Sequence, residues 1–129
     1  MAQFIAAFSL LVPDYDSGIE FYVGKLGFNL IEDTPRSPTK RWVVIAPKGA
    51  PQTHIILAKA DGPSQEKAIG NQTGGRVSFF LQTDDFDADY AAMRANGVTF
   101  LETPRDEPYA KVVVWQDPFG NKWDMLQPK

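Results

Sequence analysis

The sequence predicts an α+β fold made of two tandem βαβββ modules. Three observations carry this prediction: an internal repeat, strands that alternate apolar and polar residues, and a helical stretch after the first strand of each copy. The stretch "DYDSGIEFYVGKLGFNLIEDTP" from Asp14 aligns with "DFDADYAAMRANGVTFLETP" from Asp85, and apolar strands flank both. We therefore expect one domain over residues 1–129, with module 1 at about 1–60, a connector at about 61–75 and module 2 at about 76–129.

The first module is expected to open with a strand whose apolar side carries Phe4 and Phe8. Asp16 or Ser17 is then expected to cap a helix that runs to about Leu26, because short polar side chains accept hydrogen bonds from the free N–H groups of a first turn. Further strands of this module are expected at about 28–33, 41–46 and 53–59.

The second module repeats this order. Val77 and Phe79 alternate with polar residues in its first strand, and Asp85 or Asp87 is expected to cap a helix that runs to about Asn96. Its remaining strands are expected at about 98–102, 111–116 and 122–127. The polar connector between the modules is expected to hold a short helix at about 64–69.

Composition narrows the class of protein. Hydrophobic residues make up 43% and charged residues 22% of the chain, as in globular proteins, and no segment is long and apolar enough to span a bilayer. The net charge of −3 disfavours nucleic-acid and acidic-membrane partners, which bind clustered Lys and Arg. The chain has no Cys and its first residues lack a basic signal-peptide region, so we expect a cytoplasmic protein.

Two stretches, "VPDYDSGIEFYVGKLGF" and "VWQDPFGNKWDML", together with the duplication, resemble the vicinal oxygen chelate superfamily. This superfamily includes glyoxalase I, extradiol dioxygenases, fosfomycin-resistance transferases and bleomycin-resistance proteins. The resemblance implies a curled mixed sheet that forms a cup with helices outside and a ligand inside, commonly within a homodimer. Its metal-dependent members hold a divalent ion such as Zn, Ni, Mn or Fe, which polarises substrate oxygens.

The positions that the resemblance assigns to the metal ligands read Ala7, Ile56, Ser78 and Asp124, with Arg76 replacing Ser78 if the strand is bulged. Divalent ions need several nitrogen or oxygen donors, and among these residues only the aspartate is a usual ligand. We therefore expect no metal cofactor, and metal-dependent catalysis is disfavoured.

His54 and Asp124 are the candidate catalytic residues. His54 shares a strand face with the position of Ile56, and imidazole exchanges protons near neutral pH. If the two side chains meet, the carboxylate would orient the imidazole for acid-base chemistry. The alternative for His54 is a half-exposed histidine at a strand end.

The candidate ligand-binding residues are inward by strand alternation, or lie at the rim of the expected cup. They are Ser9, Leu11, His54, Ile56, Arg76, Ser78, Phe80, Gln82, Tyr109 and Asp124. Arg76 would clamp an anionic group, or else lie in solvent at a strand start. Such a mixture of apolar and small polar groups suits a mid-sized organic molecule.

Three functions remain open on the sequence, and the first is the one we expect. The first is a metal-independent protein that binds a small organic molecule. The second is an enzyme of the superfamily, either a metal-dependent lyase, dioxygenase or thiol transferase, or a metal-free catalyst using His54 and Asp124. The third is a regulatory or structural module without a ligand.

Overall fold

The computed structural model describes residues 2–49 and 52–129 and divides the chain into two compact units, Met1–Ile69 (unit 1) and Gly70–Lys129 (unit 2). Each unit runs from a strand through a helix to further strands, in the order expected from the repeat. The predicted α+β fold with two sheets is confirmed. Within the described ranges, no helix is long and apolar enough to cross a membrane.

Unit 1 contains a four-stranded sheet in the order β1-β4-β3-β2, in which β1 and β4 are parallel and the other pairs antiparallel. Its elements are β1 (Ala7–Val12), α1 (Tyr15–Ile19), β2 (Asn29–Pro35), β3 (Arg41–Ala46), β4 (His54–Lys59) and α2 (Pro63–Ala68). The apolar side of the first strand is buried only in part, since Leu10 and Val12 are fully buried whereas Phe4 and Phe8 are 62% and 49% exposed. The helix packs on the sheet through Gly18, which lies against Val12 on β1 and Leu57 on β4.

The first helix has a different cap and a different winding from those predicted. Asp14, rather than Asp16 or Ser17, caps α1, because its Oδ1 accepts a hydrogen bond of 2.7 Å from the Ser17 backbone N–H. The chain then continues as a π-helical segment, Glu20–Lys25, which buries Phe21. Because a π-helix has more residues per turn than an α-helix, its buried side carries different residues from those that a 3.6-residue period predicts.

Unit 2 contains a five-stranded sheet in the order β5-β9-β8-β6, with a further short strand, β7, paired to β8. Its elements are β5 (Val77–Gln82), α3 (Phe86–Ala95), β6 (Thr99–Phe100), β7 (Arg105–Asp106), β8 (Ala110–Gln116) and β9 (Lys122–Pro128). Asp85 caps α3 as predicted, through a bond from the Ala88 N–H to its Oδ1. The sequence did not predict β7, and β6 is shorter than expected.

The side of the unit 2 sheet that faces α3 forms an aromatic core. Trp115 and Trp123 stack with their ring centroids 4.9 Å apart, and Phe79 lies 4.7 Å from Trp123. Met125 is fully buried beside them, as the apolar/polar alternation of Trp123, Asp124 and Met125 in the sequence predicts. Because side chains alternate along a strand, Asp124 points to the opposite face.

The "DPFGN" turn between β8 and β9 is held by buried hydrogen bonds. Asp117 Oδ1 accepts bonds from the backbone N–H groups of Phe119 and Asn121, at 2.9 and 2.8 Å, and Asp117 Oδ2 accepts one from Asn121 Nδ2 at 2.7 Å. Gly70 passes so near this turn that a Cβ there would lie 2.0 Å from the Phe119 carbonyl oxygen. These contacts fix the start of β9, the strand that carries Asp124.

Candidate functional site

The sheet of unit 2 has a face opposite α3, which we call the far face. Its central row runs across three neighbouring strands, because Phe80 on β5 pairs with Asp124 on β9, which in turn pairs with Val114 on β8. Directly paired residues project on the same side of a sheet, so an aromatic ring, a carboxylate and an aliphatic group lie side by side.

Asp124 is the polar group at the centre of this row. Its carboxylate is half-buried, and its Oδ1 is shielded from solvent without a hydrogen-bond partner among the described residues. Burial raises the pKa of Asp124 above its ordinary value, because a charged carboxylate loses hydration there. The positive charge of Arg105 acts against this rise in pKa, and the negative charge of Glu102 adds to it.

Arg105 lies between two glutamates at the margin of the far face. It pairs with Val112 on β8, which places its side chain on this side of the sheet. Its Nε donates to both carboxylate oxygens of Glu102, at 3.1 and 3.0 Å, and its Nη1 donates to Glu107 Oε1 at 3.0 Å. These bonds raise the pKa of Arg105, so the guanidinium stays charged.

Glu102 also has a backbone partner. Its Oε2 accepts a hydrogen bond of 3.0 Å from the N–H of Val114. Val114 lies in the part of β8 between the segments that pair with β6 and with β7. The carboxylate therefore satisfies an edge N–H that no strand covers, and it fixes the position of Arg105 relative to β8.

Phe80 gives the far face its exposed apolar surface. Its side chain is 68% exposed, which is unusual for a Phe inside a strand of a folded unit. The neighbouring row consists of Gln82, Leu126 and Val112, paired in the same register. An exposed ring next to a poorly hydrated carboxylate is suited to a ligand that has both an apolar part and a hydrogen-bond donor.

Unit 1 has a corresponding face opposite α1. Ser9 pairs with Ile56, which pairs with Val44, so Ile56 holds in this sheet the place that Asp124 holds in unit 2. This register agrees with the correspondence of Ile56 and Asp124 that the repeat predicts. The face is mostly apolar or small, and Leu11 lies on it opposite Ala58.

His54 lies at the start of β4. It pairs with Ala7, its backbone N–H donates to the carbonyl of Ala6 at 2.8 Å, and its side chain is half-buried. His54 belongs to unit 1 and Asp124 to unit 2, so their pairing as catalytic residues stays a prediction.

Three predicted ligand-binding residues lie at or beyond the margins of the unit 2 sheet. Arg76 is exposed just before β5, and its carbonyl accepts a bond from Thr73 Oγ1. Ser78 Oγ lies 3.1 Å from the same hydroxyl. Tyr109 is 66% exposed before β8. A ligand role for each of them stays a prediction.

The residues at the superfamily's metal positions do not fit a divalent ion. Ala7 and Ile56 have no donor atom, and Ser78 Oγ already shares a hydrogen bond with Thr73. This leaves the Asp124 carboxylate as the one strong donor of the set. In the parts of the chain that the structure describes, no three His, Asp or Glu side chains are grouped closely enough to hold a metal.

Sequence reasoning missed the group formed by Glu102, Arg105 and Glu107. Strand alternation places Arg105 and Glu107 on one side of the chain, and this spacing was a usable signal. The strand β7 that orients them is only two residues long, which is too short for a periodic pattern.

Comparison with known proteins agrees with this architecture. The sequence profile of the Glyoxalase/Bleomycin resistance protein/Dioxygenase superfamily matches residues 4–125. An uncharacterised protein of Shewanella frigidimarina (strain NCIMB 400) is 48% identical over 98% of this chain and 95% of its own length.

Two solved structures share the fold over nearly the full length of both chains. UcmS2 has a TM-score of 0.84 at 27% identity, covering 98% of each chain. TnmS3, an antibiotic binding protein from Streptomyces sp. CB03234, has a TM-score of 0.79 at 32% identity, covering 99% of this chain and 98% of its own. With the profile match, these similarities show that the chain belongs to the Glyoxalase/Bleomycin resistance protein/Dioxygenase superfamily.

Proposed function

We propose that this protein binds a small, partly aromatic organic molecule on the far face of unit 2, without a catalytic metal. The observation that carries the proposal is the pairing of an exposed Phe80 with Asp124, whose Oδ1 is buried and has no hydrogen-bond partner in the described ranges. A folded chain gains nothing from either feature by itself, since an exposed ring and an unsatisfied buried oxygen both oppose stability.

The comparisons support a binding function. TnmS3 is described as an antibiotic binding protein, and it is 32% identical to this chain over nearly the full length of both. We transfer from it the class of function, the binding of an organic molecule. The ligand-binding roles predicted for Gln82 and Tyr109 belong to this proposal, and those predicted for Ser9 and Leu11 on the unit 1 sheet stay separate predictions.

The metal-free part of the proposal is supported by the chemistry of the donor set. Ala7, Ile56 and Ser78 leave Asp124 without the partners that a divalent ion requires. The proposal therefore assigns binding to Asp124 and routes no reaction through a metal.

The first experiment measures binding of a panel of aromatic antibiotics by isothermal titration calorimetry, with Phe80→Ala as the test variant. Burying an exposed Phe side chain contributes about 1.5–3 kcal/mol, so we expect binding to weaken by about tenfold or more. Leu30→Ala is the matched control, because Leu30 is 42% exposed and its partner Ile45 is a buried core residue of the other unit. Equal effects of the two substitutions would contradict the proposed site.

The second experiment uses inductively coupled plasma mass spectrometry to measure the metal content of protein purified without chelators. We expect substoichiometric Zn, Ni, Mn and Fe, and ligand affinity that does not change after dialysis against a chelator. A stoichiometric ion that is required for binding would refute the metal-free proposal.

Two other sequence predictions are part of this proposal, a homodimer and a cytoplasmic location. The homodimer is supported by apolar surface in unit 1, where Phe4 and Ile5 are 62% and 60% exposed. Light scattering coupled to size-exclusion chromatography tests it, and a monomer at all accessible concentrations would contradict it. Fractionation of cells that produce the protein tests the location.

A further inference from the structure

Asp124 is a carboxylate without a cation of its own. Its Oδ1 is shielded from solvent and accepts no hydrogen bond among residues 2–49 and 52–129. Leaving a buried acceptor unsatisfied costs free energy, and the cost is greater for a charged group. The carboxylate as a whole is only half-buried, so a partner that reaches its exposed side would offset part of this cost.

Arg105 and Lys122 are already engaged by other groups. Arg105 donates through Nε and Nη1 to Glu102 and Glu107, and these two carboxylates more than balance its single charge. Lys122 precedes Asp124 by two residues on the same side of β9, but its Nζ donates to the carbonyl of Gly75 at 3.2 Å. The far face therefore carries an excess of negative charge centred on Asp124.

The side chains next to the Asp124 carboxylate on the two neighbouring strands are apolar. Phe80 presents an exposed ring on β5, and Val114 presents an aliphatic side chain on β8. A protonated nitrogen is attracted both to a carboxylate and to the face of an aromatic ring, and these attractions strengthen where water is scarce. An anionic ligand would meet repulsion from Asp124, Glu102 and Glu107.

We propose that the ligand of this site is an organic amine, with a protonated nitrogen that pairs with the half-buried carboxylate of Asp124 and an aromatic group that packs on Phe80. This inference rests on the proposed function and adds the chemical class of the ligand to it. Charge complementarity and the unpaired oxygen together select a cation over a neutral or an anionic molecule.

Three probes of one size and shape test the inference on the full chain at neutral pH: naphthylmethylamine, naphthylmethanol and naphthoic acid. Affinities at millimolar concentrations are measured from chemical-shift changes of the ¹⁵N-labelled protein. A hydrogen bond to a charged partner contributes about 1.5–3 kcal/mol, so we expect the amine to bind about tenfold or more tightly than the alcohol, and the carboxylate most weakly.

The test variant is Asp124→Asn, which keeps the shape of the side chain and removes its charge. We expect it to abolish the preference for the amine over the alcohol. Asp87→Asn is the control, because Asp87 is an exposed carboxylate of α3 that pairs with Lys111 at 2.5 Å. It should leave the preference unchanged. Circular dichroism confirms that each variant is folded, and Asp124→Ser replaces the test variant if it is not.

Each outcome decides between the inference and the function on which it rests. Binding of the amine that is no tighter than that of the alcohol or the carboxylate, or a preference that survives Asp124→Asn, overturns the inference. Loss of alcohol binding in Phe80→Ala would then still support the proposed function. If no probe binds and no antibiotic of the panel depends on Phe80, both the function and the inference are refuted.

Discussion

Replacing Asp124 with Asn should stabilise the protein at neutral pH. The buried Oδ1 has no hydrogen-bond partner in the described parts of the chain, and burial raises the pKa of this carboxyl. An unsatisfied buried acceptor costs about 1–3 kcal/mol, and Asn removes the charge while keeping a polar atom. We therefore expect a gain of about 1 kcal/mol in the free energy of unfolding, or about 3–4 °C in Tm for a chain of this size.

The pH dependence of this gain follows from the raised pKa of Asp124. Between the ordinary and the raised pKa the folded state holds the proton more firmly than the unfolded state, so wild-type stability falls as pH rises through that interval. Below the ordinary value of 3.8 the carboxyl is neutral in both states. The advantage of Asn should therefore be largest near neutral pH and should shrink as pH falls toward about 4.

The assay is urea unfolding followed by circular dichroism and tryptophan fluorescence, at several pH values between about 4 and 7. Coincident transitions of the two signals justify a single free energy. Asp106→Asn is the control, because an ion pair with Lys129 lowers the pKa of Asp106 below 3.8. The stability that this pair contributes is lost only below that pH, so the effect of the control substitution should be nearly independent of pH over the assay range. A variant at position 124 that is less stable than wild type at neutral pH, or whose gain is independent of pH, would refute the reasoning.

Two further substitutions test the turn that positions β9. Gly70→Ala should lower the free energy of unfolding by about 2 kcal/mol or more, because φ is +70° and the new Cβ would overlap the Phe119 carbonyl. Gly24→Ala is the control, because a Cβ there meets nothing within 4 Å, and it should leave the stability unchanged or raise it. Equal Tm changes would contradict this. Asp117→Ala should lower the free energy of unfolding by about 3 kcal/mol, because it removes three hydrogen bonds, two of them from Asn121. A loss under about 1 kcal/mol in urea unfolding would show that these hydrogen bonds do not stabilise the turn.

The architecture was predictable because the sequence contains two copies of the same βαβββ pattern. The two copies agree in their strand patterns and in the place of the helix, and the same strand order and register recur in both sheets. Burial of Trp123 and Met125 followed from alternation alone, since a strand with one face on a core repeats every two residues.

Local geometry was less predictable. The cap at Asp14 depends on one hydrogen bond to its side chain, and several neighbouring polar residues are equally suitable caps by residue type. The π-helical segment Glu20–Lys25 has no sequence pattern that distinguishes it from an α-helix. The exposure of Phe4 and Phe8 was not predictable either, because burial of an apolar strand side depends on tertiary packing.

The candidate site was predictable in part. Strand alternation identified Phe80 and Asp124 as residues of one face, and the register places them directly side by side. The charges that surround Asp124 were not predicted, because Glu102 and Arg105 meet through a short strand and a backbone N–H whose position only the folded chain specifies. The missing hydrogen bond of Oδ1 is likewise a property of packing.

The repeat supplies an internal comparison for Asp124. Ile56 holds the same place in unit 1, between Ser9 and Val44, and that sheet has the same strand order with an apolar side chain there. The fold itself therefore does not require an acid at this position. Because the carboxylate opposes stability where Ile would favour it, the proposed function assigns the contribution of Asp124 to contacts with a ligand. The same comparison separates structure from proposed function in unit 2: the Asp117 turn positions β9, and in the proposed function Asp124 pairs with a donor of the ligand.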